Sequence, residues 1–317
     1  MSRIVITEFM DERAVAQLAA AHDVLYDAKL VDDTPRLLAE AATADAVVVR
    51  NRTQVRGDLL AAMTRCRIVG RLGVGLDNID VAACAARGMK VIPATGANAL
   101  SVAEYVVGTA MLLLRGGYRS SAAVAQGQWP RNALSNGREA GGKTLGLIGY
   151  GSIGQLTARL ALALGMRVIV HDPLMAGDDP AFATGGVSGV SGVSGVNRVS
   201  LDVLLADSDV VSLHVPLVEG TRGLFDAARI ATMKRGAVLI NTARGDVVDE
   251  LALAVALKAG HLGGAAIDVF GSEPLPVSPH FQDCPNLLLT PHIAGVTAEA
   301  NERVSFLIAD KLLEALR

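Results

Sequence analysis

The stretch that most constrains this chain runs from Thr144 to Asp172. It begins with an apolar run, Thr144-Leu-Gly-Leu-Ile, that reads as a buried strand. Three glycines follow, Gly149, Gly151 and Gly154, at the spacing G-x-G-x-x-G. A helical pattern starts at Ser152 and stops at Gly165, and a second apolar run, Met166–Val170, leads into His171-Asp172. The glycines serve different purposes. Gly149 permits the tight turn, Gly151 lets a pyrophosphate approach the backbone, and Gly154 lets helix and strand pack closely. Phosphates would then sit on the free N–H groups and positive end of the helix. Asp172 falls about 20 residues beyond the glycines, where a dinucleotide site places an acid for the ribose hydroxyls. A carboxylate there repels a 2′-phosphate, so the expectation is NAD and not NADP.

With 317 residues the chain can bury a large core, and length suggests two domains. Its 51 % hydrophobic and 19 % charged composition describes a globular protein and excludes a disordered one. A net charge of −3 gives no footprint for nucleic acid. Cys66, Cys84 and Cys284 stand far apart without pairing or metal-ligand spacing, so reduced thiols and no metal are expected. The N-terminus reads as a strand start and not as a signal peptide. The longest apolar stretch, Val102–Leu114, carries Glu104 and is too short for a membrane span. A cytoplasmic enzyme without membrane or nucleic-acid partners is the expectation.

Strand-like apolar runs alternate with helical patterns throughout: Ile4–Ile6, Asp23–Tyr26, Ala46–Val49, Ile68–Gly70 and Val91–Ile92 in the first 97 residues. A helix from Pro35 is expected to have Thr34 as its N-cap. Further runs at Val210–Leu213, Ala237–Asn241, Gly264–Ile267 and Leu287–Leu289 continue the second unit. Such alternation implies parallel sheets covered on both faces. Residues 98–126 read as two helices, and 297–316 as an amphipathic helix that crosses back to the first domain. The expected division is 1–97 plus 293–317, and 98–292. The Gly-Val-Ser repeat at 186–196 reads as an expanded surface loop.

Three loops after strands of the second domain carry chemistry, at the carboxyl ends where doubly wound sheets bind ligands. Arg244, beside Gly245, presents a planar cation suited to a carboxylate. Asp268 ends a buried strand, and Glu273 precedes Pro274. His292 sits in a loop framed by Pro291 and Gly295. Singly, a surface arginine, a solvated acid and a structural histidine remain open readings. Together they suit a nicotinamide enzyme acting on a 2-hydroxy or 2-oxo acid. Arg244 would hold the carboxylate, His292 would exchange the hydroxyl proton, and Glu273 would support the protonated histidine.

At these residues the chain resembles the D-isomer-specific 2-hydroxyacid dehydrogenases, and within them the phosphoglycerate dehydrogenase-like branch. The likeness runs through Val69–Asp80, Asn98–Glu104, the glycine unit, His214-Val-Pro216, Asn241–Gly245, Asp268–Pro274 and Pro291–Gly295. It implies an α/β protein of two Rossmann-like doubly wound domains, a flavodoxin-like substrate domain and an NAD-binding domain, with the active site in the cleft between them. It implies that Ser152 and Ile153 meet the pyrophosphate and that Val215 and Pro216 wall the adenine side. Thr242 and Ala243 would line the nicotinamide end, with Arg244 and His292 facing it and Asp268 taking the carboxamide. Backbone N–H groups of Val74 and Gly75 would help hold the substrate carboxylate. The helices at 98–126 look like the family's dimer-forming elements.

Longer phosphoglycerate dehydrogenases carry a C-terminal regulatory domain, so serine feedback is not expected here. In Val49-Arg50-Asn51-Arg52-Thr53, Arg52 stands where those enzymes have a small residue. Arg50 and Arg52 could receive a second anionic group, a phosphate, sulfonate or carboxylate, against the reading of a plain surface pair. The reaction expected, in either direction, is hydride transfer between the nicotinamide and the CH–OH carbon, C2, of a small 2-hydroxy acid, monoanionic or dianionic, such as phosphoglycerate, sulfolactate or glycerate. Alternatives are a formate dehydrogenase-like activity and an NAD-responsive co-repressor; a Rossmann methyltransferase would leave Arg244, Glu273 and His292 without a common purpose.

Overall fold

The structure is a computed structural model that describes residues 1–174 and 195–317, with the backbone alone at 118 and 119. The chain divides into two compact units, Met1–Asn98 with Val296–Arg317, and Ala99–Gly295. Each is a parallel sheet with helices on both faces.

In the first unit the strands are β1 (Arg3–Ile6), β2 (Asp23–Tyr26), β3 (Ala46–Val49), β4 (Ile68–Arg71) and β5 (Lys90–Pro93). They pair in the order β2-β1-β3-β4-β5, every pair parallel. Short apolar runs suit strands buried on both sides, and β3, Ala-Val-Val-Val, is wholly buried. Alternate residues feed two cores. Ile4, Ile6, Val48 and Ile68 pack with Val304, Ile308 and Leu312 of the helix Ala298–Ala315. Val5, Val47, Val49 and Val69 pack with Leu37, Leu59 and Met63 on the other side. Gly70 in β4 makes room for the last helix, because a Cβ there would lie 2.9 Å from the Ile308 Cγ2. The amphipathic face read at 297–316 therefore returns to this unit. The helix at Thr34–Thr43 begins one residue earlier than expected, and its cap is Asp33, whose carboxylate accepts the Arg36 N–H. Asp and Thr both cap well, and the position of the accepting carboxylate decides between them.

The second unit holds β6 (Thr144–Ile148), β7 (Arg167–His171), β8 (Val196–Arg198), β9 (Val210–Leu213), β10 (Val238–Asn241), β11 (Gly264–Ile267) and β12 (Leu287–Leu289). Their order is β12-β11-β10-β9-β6-β7-β8, again all parallel. Helices Ala99–Arg115 and Ser152–Ala163 cover one face. Leu201–Asp207, Ala227–Thr232 and Glu250–Lys258 cover the other. The strand order turns back between β6 and β9, and loops after those strands form the switch point. The expected surface loop at 186–196 needs correction at its end: Val196 is buried and opens β8, pairing with Val168. The rest of the repeat, 186–194, lies outside the described residues. Among the described residues no helix is long and apolar enough to cross a membrane.

Candidate active site

The three glycines of the switch point differ in what surrounds them. Gly149 has φ +93°, and a Cβ on it would lie 2.6 Å from the His214 carbonyl oxygen. A Cβ on Gly154 would lie 2.5 Å from the Gly149 oxygen. Both are glycine because the fold leaves no room. At Gly151 a Cβ would meet nothing within 4 Å, so the protein itself gives no reason for glycine there. A ligand approaching the backbone would. Gly151 is also the N-cap of Ser152–Ala163 and supplies no side-chain acceptor, leaving the first N–H groups, including those of Ser152 and Ile153, without an intrahelical partner. Asp172 closes the far edge: its carboxylate accepts from the Tyr150 N–H at 2.8 Å and the Leu174 N–H at 3.0 Å. Val215 and Pro216 follow β9 after His214, and Val215 Cγ1 lies 3.3 Å from the Cβ position of Gly149. The Thr242 hydroxyl, after β10, is a buried oxygen with no hydrogen-bond partner among the described residues. An open cradle at Gly151 and an orphan hydroxyl at Thr242 fit a dinucleotide with a polar nicotinamide group.

The loops after β10, β11 and β12 bring Arg244, Glu273 and His292 together. Asn241, fully buried, shapes the first loop: its Oδ1 accepts the Ala243 N–H and its Nδ2 donates to the Arg244 oxygen. Gly245 lets this loop press on the next, since a Cβ there would collide with the Phe270–Gly271 backbone. Arg244 donates to the Ala243 carbonyl at 2.6 Å. Glu273 Oε1 accepts the Phe270 N–H at 2.9 Å, and its Oε2 lies 2.7 Å from His292 Nδ1. Burial pushes the Glu273 carboxyl up, but the hydrogen bonds from His292 and Phe270 outweigh it. With the charges of His292 and Arg244 they hold the group below the ordinary carboxylate value.

Asp268 does something the sequence did not suggest. It is 1 % exposed, and its carboxylate is engaged by the histidine loop. Oδ1 accepts from the Thr290 hydroxyl at 2.6 Å and the Ile293 N–H at 2.8 Å, while Oδ2 accepts the Ala294 N–H at 2.8 Å. The His292 N–H donates to the Asp268 carbonyl, also at 2.8 Å.

In the first unit the two arginines of the β3 loop are not brought together. Arg52 is ion-paired with Asp32, and more than half of its side chain is exposed. Arg50 turns away, donating to Asn301 Oδ1 at 2.6 Å, with its guanidinium 5.7 Å from the centre of the Phe9 ring. Among the described residues it has no carboxylate ion pair. The loop itself is held by Glu8, a buried acid after β1 whose carboxylate accepts the N–H groups of Arg50, Arg52 and Thr53 at 2.9–3.1 Å. Asn78 adds bonds to the Arg50 and Thr53 carbonyls and accepts from Arg71 Nε. Sequence reading missed Glu8 and Arg71. Their signal was an acid just after one strand and a cation ending another. The N–H groups of Val74 and Gly75 have no internal acceptor among the described residues.

Comparison with known proteins decides the family. Residues 107–294 match the family model for the D-isomer specific 2-hydroxyacid dehydrogenase, NAD binding domain. The chain belongs to that family. It is 51 % identical to the (S)-sulfolactate dehydrogenase of Chromohalobacter salexigens, over 100 % of this chain and 99 % of the relative. It is 39 % identical to the D-3-phosphoglycerate dehydrogenase of Mycobacterium leprae, covering 96 % of this chain and 56 % of that one. The crystal structure of D-lactate dehydrogenase from Aquifex aeolicus with NAD and lactic acid superposes with a TM-score of 0.83. That match is 28 % identical and covers 99 % of this chain and 95 % of the other. The fold is that of the two Rossmann-like domains of these dehydrogenases. The cofactor is NAD, and the chain is an NAD-dependent dehydrogenase of 2-hydroxy acids.

Proposed function

We propose that this dehydrogenase interconverts 3-sulfolactate and 3-sulfopyruvate, with His292, Glu273 and Arg244 doing the chemistry. The observation that carries the reaction is the His292 Nδ1–Glu273 Oε2 bond of 2.7 Å beside Arg244. In oxidation His292 takes the proton from the C2 hydroxyl through its free ring nitrogen, Nε2, and Glu273 stabilises the imidazolium that results. In reduction His292 returns that proton to the oxygen. Arg244 grips the substrate carboxylate and polarises the C2 oxygen. Bound NAD supplies the hydride acceptor for C2. Gly151, Ser152 and Ile153 hold its pyrophosphate, Asp172 its ribose, and Val215 and Pro216 flank its adenine. Thr242, Ala243 and Asp268 surround the nicotinamide.

For the substrate, Arg50 supports a second anion. Its guanidinium is half-buried, burial pushes its pKa down with only the charge of Glu8 opposing, and no carboxylate among the described residues pairs with it. A sulfonate would restore the missing negative charge through paired N–H···O bonds, while Arg52 is already occupied by Asp32. The (S) label of the similar sulfolactate enzyme agrees with a D-specific family. Sulfur outranks oxygen in naming, so the CH₂–sulfonate arm takes precedence over the carboxylate. The spatial arrangement that is (R) in D-lactate becomes (S) in D-sulfolactate.

The test is NADH oxidation with sulfopyruvate, phosphohydroxypyruvate, hydroxypyruvate, glyoxylate and pyruvate, each repeated with His292→Ala. Preference for sulfopyruvate, abolished in the variant, supports the reading; equal rates for monoanions and dianions refute the substrate class. We also infer a cytoplasmic homodimer formed through residues 98–126, where Leu100, Met111 and Val124 are exposed apolar side chains. Light scattering at a monomer mass would refute the dimer. Burial that pushes the Cys66 thiol up to about 11 suits a thiol that stays reduced.

A further inference from the structure

We propose that Tyr105 and Thr290 are positioning residues for proton transfer, acting through Asp268 on His292. The proposal rests on the reading that His292 moves the proton. His292 sits at φ +55°, a conformation that non-glycine residues adopt only when their surroundings impose it. Asp268 is its main anchor, receiving the N–H groups of His292, Ile293 and Ala294 on its carbonyl and two carboxylate oxygens, with the His292 N–H shared with the Thr290 carbonyl at 3.0 Å. The loop can be no better placed than the Asp268 side chain.

That side chain is oriented from the far side. The Thr290 hydroxyl donates its single proton to Asp268 Oδ1 at 2.6 Å. The Tyr105 hydroxyl lies 2.6 Å from the Thr290 oxygen, whose proton is already committed, so Tyr105 is the donor. Burial pushes the Tyr105 phenol up, which keeps it protonated in that role. The chain Tyr105 O–H to Thr290 O–H to Asp268 runs in one direction and leaves Asp268 one orientation. Tyr105 lies in the helix Ala99–Arg115, one face of which is buried against the sheet, so a long rigid element is tied to the histidine loop. Freed of the two hydroxyls, Asp268 would rotate, and His292 would lose its alignment on Glu273 and on the substrate oxygen. Binding of the oxo acid through Arg244 would be unaffected.

The experiment is steady-state reduction of sulfopyruvate by NADH, with melting temperature measured in parallel, for Tyr105→Phe, Thr290→Val, Thr290→Ser and His292→Ala. Misplacing a reacting group through lost hydrogen bonds should lower kcat about 3- to 10-fold in Tyr105→Phe and about 10- to 30-fold in Thr290→Val. KM for the oxo acid should stay within about 2-fold. Thr290→Ser keeps the hydroxyl and should recover kcat. Rates within about 2-fold of the parent in both Tyr105→Phe and Thr290→Val overturn the proposal, as does a Thr290→Ser enzyme no faster than Thr290→Val. If Thr290→Val does not fold, Tyr105→Phe decides alone. His292→Ala separates the two levels. Full activity there removes the reading of His292 itself, whereas a dead His292→Ala beside a fully active Tyr105→Phe leaves that reading standing and sinks only this one.

Discussion

The two units reverse their strand order at the same point of a similar sheet and fill the loops there in different ways. In the five-stranded unit the strand order turns between β1 and β3, and the loops there carry Glu8 and Arg50–Thr53. In the seven-stranded unit it turns between β6 and β9, and the loops carry Gly149–Gly154 and His214–Pro216. A switch point gathers backbone N–H groups at the carboxyl ends of strands and so favours negative charge. The second unit leaves those donors open beside Gly151. The first closes them with its own carboxylate, because Glu8 accepts three backbone N–H groups of the loop. A doubly wound sheet therefore need not bind a nucleotide wherever its order reverses. Where an internal acid has satisfied the backbone, only side chains such as Arg50 remain to recognise an anion.

The largest effect should come from making the second site resemble a filled one. Gly151→Asp puts a carboxylate where we propose that the pyrophosphate approaches. It should weaken NADH binding by about 100-fold or more, with little change in melting temperature because the new Cβ meets nothing within 4 Å. Gly154→Ala should do the reverse and act mainly on stability, since its Cβ collides with the Gly149 carbonyl. Fluorescence titration with NADH and thermal melts of the two variants test the contrast. Equal loss of stability in both would break it.

Emptying the closed site should cost nearly as much, but in stability. Glu8→Ala leaves three N–H groups of a partly buried loop, that of Thr53 fully buried, without an acceptor, and should destabilise the protein by about 1–3 kcal/mol. Urea unfolding measures it, and a loss below about 0.5 kcal/mol would show that water replaces the carboxylate freely.

Arg50→Ala sharpens the same comparison on the side-chain level. KM for sulfopyruvate should rise about 10- to 100-fold while that for pyruvate changes less than about 2-fold. Arg52→Ala should alter neither, because its guanidinium is spent on Asp32. A selective rise with Arg52→Ala instead would restore the two-arginine site.

These differences mark where sequence was readable. Parallel strands buried on both faces are apolar runs, so β9, β11 and β12 coincide with the stretches read from the sequence. The glycine loop was legible because its spacing encodes local backbone geometry. β8 was hidden because Val196 ends a Gly-Val-Ser repeat with no apolar run to announce a strand. Arg50 and Arg52 could not be told apart because partners distant in sequence, Asn301 and Asp32, set where each side chain turns. Glu8 and Asp268 were invisible in their structural roles for the same reason. A carboxylate that organises a loop looks, in sequence, like any acid at the end of a strand.

The smallest effect concerns the charge that the Arg244, Glu273 and His292 cluster adds to stability. Glu273 has its carboxyl held below the ordinary value in the folded protein, burial notwithstanding, by His292, the Phe270 N–H and the Arg244 charge. An acid with a depressed folded pKa binds its proton more weakly than in the unfolded chain. Its contribution is therefore complete above the unfolded value, about 4.3, and disappears as pH falls through the folded value. The side chain is 34 % exposed, so solvent screens part of the effect. Urea unfolding at about pH 6 and about pH 3.5, on either side of that value, should show the parent losing more stability than Glu273→Gln, which has no proton to gain. Asp209 makes a useful control in the same unit. It is held low by Thr144 and Lys234 against the effect of burial, and its side chain is only 8 % exposed. Asp209→Asn should flatten the acid dependence further than Glu273→Gln. An order reversed between the two would mean that the active-site pair is shielded from water more completely than its exposure implies.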